Sequence, residues 1–153
     1  MNRLRPGFAV CLVLAAVGAG SAAVLPAITG HLHEKHEGQA FAVAHALEVP
    51  AGAVDSTVCR GDGQVACWET SEPVAVVANM LLHSMEARAG KVGSSVRYSS
   101  PITTTGSHFS ADSHLVRVNF GSHSAMAWVE PIVERDADGV ASVIGARVSL
   151  NAG

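Results

Sequence analysis

Residues 106–114 (GSHFSADSH) gather more chemistry-bearing side chains than any other short stretch of this sequence. Ser110, Asp112 and His114 are the residue types of nucleophilic catalysis, in which a histidine takes a serine proton and a carboxylate orients the ring. No Gly-x-Ser-x-Gly elbow accompanies them, and any loop rich in Ser and His offers such a set. We therefore assign no catalytic residue. His108, Asp112 and His114, joined by His123, are also acceptable ligands for zinc or copper. His114 and His123 fall near opposite ends of the strands expected to pair, or on different faces, which works against convergence. We expect no metal site and no cofactor. A small secreted hydrolase or metal-binding protein using the His108/Asp112/His114 region is kept as the alternative function.

A second histidine group, His31, His33 and His36, lies in the stretch HLHEKHE. Imidazoles at this density can bind a divalent metal, but a solvated connector is the simpler account. The sequence has three cysteines. Cys11 is inside an apolar run, where it serves as a small hydrophobe. Cys59 and Cys67 bound the stretch CRGDGQVAC, and an exported chain is expected to join them as a disulfide contributing about 2–3 kcal/mol. Arg60-Gly61-Asp62 inside that loop spells an adhesion tripeptide, but these are ordinary turn residues and the match carries little weight. Phosphate-binding glycine loops, Cys-x-x-Cys, H-E-x-x-H and dinucleotide fingerprints do not occur.

The elements that position these side chains begin with a helix signal at residues 70–73. Ser71 is the expected cap, Glu72 complements the helix dipole and Pro73 suits the first turn. The helix is expected to run to Arg88, with Gly90 as its stop. Val74, Val77, Leu81 and Met85 form its core side, widened by Val76, Met80 and Leu82. Glu72, Asn79, His83 and Glu86 form a polar stripe. A further short helix is expected over residues 40–48, ended by Pro50, followed by an irregular segment to Cys59.

Strands follow. Residues 95–99 and 102–105 read as one strand broken at Pro101, or as an edge strand, and 106–113 as a polar loop. Residues 114–120 alternate clearly. Gly121-Ser122 suits a type II′ turn, residues 123–134 form the next strand, and Asp136–Gly139 the next turn. The last strand runs over 140–150. These turns pair Val118 with Ala125, Pro131 with Ile144 and Val129 with Ala146. Val116, Val118, Phe120, Ala125, Ala127, Val129, Val133, Ile144, Ala146, Val148 and Leu150 then share one inner face. Its low alanine middle invites the helix. Trp128 pairs with Arg147 on the opposite face, and Arg117, Trp128, Glu130 and Arg147 form the candidate binding patch.

The fold expected is therefore α+β: one main helix packed on a three- to four-stranded antiparallel meander, preceded by an N-terminal transmembrane or signal helix. That N-terminal element is residues 6–33, which hold no Lys, Arg, Asp or Glu and follow Arg3 and Arg5. A basic start, an apolar core and small residues at the exit make a signal peptide. The continued apolar stretch at 24–28 favours a single membrane-spanning anchor of about 20 residues. Both place the C-terminus outside. The domains are 1–30, signal-anchor or signal peptide; 31–52, juxtamembrane connector with a short helix; and 53–153, an extracytoplasmic α+β domain.

The 153 residues leave room for one core beyond that run. The net charge of −3 argues against a nucleic-acid partner. The expected function is a membrane-tethered, non-catalytic binding or envelope-associated domain. Its partners are the membrane, through the N-terminal segment, and an extracytoplasmic protein or small-molecule ligand. Secretion is the alternative location.

Overall fold

The computed structural model describes residues 29–59, 63–104 and 107–153, with the backbone alone at 104, 107 and 108. The signal peptide or anchor falls almost wholly in residues 1–28, outside the described residues, and the adhesion tripeptide at 60–62 is also outside them. No helix among the described residues is long and apolar enough to cross a membrane. The chain divides into two compact units, Met1–Lys35 and His36–Gly153. The described part of the first, residues 29–35, is helical. The second holds the sheet and core.

In order, the elements are a helix over residues 29–45 (α1), β1 (Val54–Asp55), β2 (Gln64–Thr70), α2 (Val74–Ala89), β3 (Ser94–Thr104), β4 (Ser107–Phe120), β5 (His123–Arg135) and β6 (Ala141–Ala152). The strands form one sheet in the order β1-β2-β6-β5-β4-β3, antiparallel at every step. This corrects the expected single helix on a three- to four-stranded meander: there are two helices and six strands.

The correction has three physical sources. β2 was not foreseen as a strand, since Val65-Ala66-Cys67-Trp68 is continuously apolar rather than alternating. The strand lies inside the sheet, between β1 and β6, and Trp68 is 1% exposed. Burial on both faces removes the alternation that marks a half-exposed strand. The expected polar loop at 106–113 is instead, from Ser107 onward, the first half of β4, paired residue for residue with β3. Backbone hydrogen bonds hold it there without an apolar face to announce it. Third, the expected connector at 31–37 and the short helix at 40–48 are one helix, α1. Its Ala40, Val43 and Ala44, with Leu47 just past its end, enter the core.

α2 runs close to its expected span. Gly90 closes it, donating its N–H to the Glu86 carbonyl at 3.0 Å. Ser71 does not cap it: Pro73 occupies the N-cap position without a side-chain hydrogen bond. The Thr70 hydroxyl oxygen instead accepts from the Glu72 N–H at 3.3 Å. Val77, Ala78, Leu81 and Met85 are buried, while Val76 and Met80 face outward. The helix packs chiefly on β4 and β5, over the fully buried Ala125 and Ala127.

The β4–β5 register is the expected one, with Phe120 opposite His123 and Val118 opposite Ala125. Gly121, at φ 59°, takes the positive φ that the first position of the turn demands. β5 and β6 differ from expectation. Arg135 pairs with Ala141, one residue beyond Val140, and a bulge beside Ile132 and Val133 absorbs one more. Pro131 therefore faces Ala146, and Val129 faces Val148. Two one-residue departures sum to two, and the period of two returns Ala146, Val148 and Leu150 to the buried face. Ile144, at the bulge, is displaced from the core and stays 43% exposed.

Candidate functional site

The start of α2 and the facing parts of β3–β6 enclose a cleft of about 520 Å³. Pro73, Val74 and Ala75 form its helix side, and Pro131, Val143, Ile144 and Gly145 its wall on β5 and β6. Across from these stand Arg97, Ser110, Asp112 and His114 from β3 and β4. The register explains the grouping. Arg97 is opposite His114 and Ser99 opposite Asp112, so alternate residues of the two strands present their side chains to one face. Thus Ser110 and Asp112 of the expected polar loop do come together with His114, but as strand positions.

The polar side is internally connected. The Ser99 hydroxyl donates to Asp112 Oδ1, and Arg97 Nη1 lies 3.5 Å from Asp112 Oδ2. His114 Nδ1 shares a hydrogen bond of 3.1 Å with Ser95 Oγ. The ring is thus held by Ser95, and Asp112 is held by Ser99 and Arg97. A histidine oriented by a carboxylate, as acyl-transfer chemistry requires, is not the arrangement formed. His108 is on β4 opposite Thr103, and His123 lies at the far end of the β4–β5 pair, opposite Phe120. No group of three or more metal-ligating side chains occurs among the described residues.

The patch expected on the opposite face is differently wired. Arg117, Trp128, Glu130 and Arg147 do share that face by register, but Trp128 stands opposite Ser149 rather than Arg147. Its ring instead meets Tyr98 of β3, with centroids 5.7 Å apart. Arg147 is flanked in register by Glu130 and by Glu69 of β2. Its Nε donates to Glu69 Oε1 at 2.7 Å, and the same oxygen accepts from Ser56 Oγ at 2.8 Å. These hydrogen bonds, Arg147 first, hold the Glu69 carboxyl below its ordinary value of 4.5. Arg147 therefore ties β6 to β2. Close by, Cys59 and Cys67 form the expected disulfide, which fastens the segment before β2 to that strand.

Arg97, Tyr98 and Glu69 were missed by the sequence reading. For the first two, the signal was the alternation of Ser95, Arg97 and Ser99 against Val96 and Tyr98. It becomes legible only once β3 is paired with the polar half of β4. Comparison with protein-family models, with curated proteins and with solved structures finds no match for this chain.

Proposed function

We propose that this protein is a non-catalytic binding domain, working outside the cytoplasm and tethered by its N-terminal apolar run, whose cleft takes a small-molecule ligand. The cleft carries this reading. At about 520 Å³ it lies within the range of small-molecule sites. Its lining is mostly apolar with a few convergent polar groups, which is the usual composition of such sites. Export rests on the uncharged residues 6–33 behind Arg3 and Arg5.

The test is direct. An apolar fluorescent probe such as anilinonaphthalene sulfonate should brighten on titration with the protein. Ile144→Trp fills the cleft from a partly exposed position and should suppress the signal. An undiminished signal in a folded Ile144→Trp variant counts against the cleft. A second reading, capture of an extracytoplasmic protein by the outer face, is favoured by the Tyr98–Trp128 pair, since Tyr98 is 45% exposed. Replacing both rings by Ser should then abolish partner capture in a pull-down while leaving probe binding intact.

A further inference from the structure

We infer that the ligand is an amphipathic carboxylate, an apolar carbon body bearing one carboxyl group, held by the Arg97 guanidinium. This inference rests on the cleft being the binding site.

The two sides of the cleft ask for the two halves of such a molecule. Pro131, Val143 and Ile144 carry no polar side-chain atoms, and Val143 and Ile144 each leave 43% of their surface to solvent. An apolar body laid on them removes that surface from water. Opposite, Arg97 is the one permanently charged cation in the lining among the described residues, and Asp112 the one carboxylate.

Their mutual contact is loose. At 3.5 Å it exceeds the 2.7–2.9 Å of a charge-assisted hydrogen bond. Asp112 makes its closer bond to Ser99 instead. The Arg97 side chain is 67% exposed, so its planar donors are open to a carboxylate, which they match two-by-two. A neutral head group leaves that fork unused. An ammonium head is repelled by Arg97 and must compete with it for Asp112. Asp112 has the opposite effect on a carboxylate. It balances Arg97 in the empty cleft and repels the incoming acid, so it holds the affinity down.

Three probes that share a phenylalkyl body and differ in the head group separate the possibilities: 4-phenylbutyrate, 4-phenylbutanol and 4-phenylbutylamine. They are titrated calorimetrically into the full chain in nanodiscs, with empty nanodiscs subtracted. The acid should bind at least about tenfold tighter than the alcohol or the amine. Arg97→Met should remove that advantage and leave the alcohol unchanged. Asp112→Asn, which keeps an oxygen for Ser99, should tighten the acid about threefold. Equal binding of acid and alcohol, or an unchanged acid affinity in Arg97→Met, would overturn the carboxylate assignment while leaving the cleft as a binding site. A tightest-binding amine, or a weaker acid with Asp112→Asn, would do the same. If none of the three binds, and Ile144→Trp leaves probe fluorescence untouched, the binding-site reading itself falls.

Discussion

Arg147 shows how neighbours decide what a side chain does. In the expected register it faced Trp128, as part of a recognition surface. In the structure it is a strand-to-strand tie, bonded to Glu69 at 2.7 Å. The pair is about one quarter exposed on both sides, so a double-mutant cycle with Arg147→Met and Glu69→Gln should give a coupling of about 1 kcal/mol in urea unfolding. The Glu69 carboxyl is held below 4.5 in the folded protein. A depressed carboxyl stabilises the fold above its unfolded value, and that stability is lost as pH falls through the folded value. Urea midpoints should therefore drop more steeply below pH 4.5 in the natural protein than in Arg147→Met. Gly145 is set by a different neighbour: a Cβ there would collide with the Thr70 carbonyl oxygen. Gly145→Ala should cost about 1–3 kcal/mol by overpacking, read from the same urea curves.

Among the elements, α2 divides its energetics by face. Leu81 is 1% exposed and adjoins Met80, which is 39% exposed. Leu81→Ala should lose about 2–5 kcal/mol, and Met80→Ala less than about 0.5 kcal/mol. Equal losses in thermal or urea unfolding would mean that the helix is rotated from the orientation described. The helix itself was legible because Thr-Ser-Glu-Pro, a periodic apolar face and Gly90 all agree. Its cap was not: Ser71 is a competent residue, but Pro73 takes the N-cap position and the Thr70 hydroxyl accepts from the Glu72 N–H ahead of the helix. β2 also depends on its link to Cys59. Replacing Cys59 and Cys67 together by Ala should cost about 2–3 kcal/mol through the entropy of the opened loop, measured as a lowered urea midpoint under oxidising conditions.

At the scale of the whole molecule, the proposed export makes a mass prediction. Intact-mass measurement of protein recovered outside the cytoplasm should show a deficit of two hydrogens for Cys59–Cys67, and will report whether the N-terminal run has been cut. Protein found in the cytoplasm with both thiols free would refute the extracytoplasmic assignment. The sequence by itself determined the N-terminal apolar run, the pairing of two cysteines, the span of α2 and the β4–β5 register, because each is written in neighbours a few residues apart. It also determined the buried face of β6 from Ala146 onward, though not at Ile144, since a period of two survives a two-residue slip. Only the tertiary structure decided the rest. β2 enters between β1 and β6 through contacts with the far end of the chain, and polar β4 residues become a strand because β3 pairs with them. The cleft exists where α2 begins beside that polar strand. Arg97 meets Asp112 only through a pairing of β3 with β4 that no local apolar alternation marks.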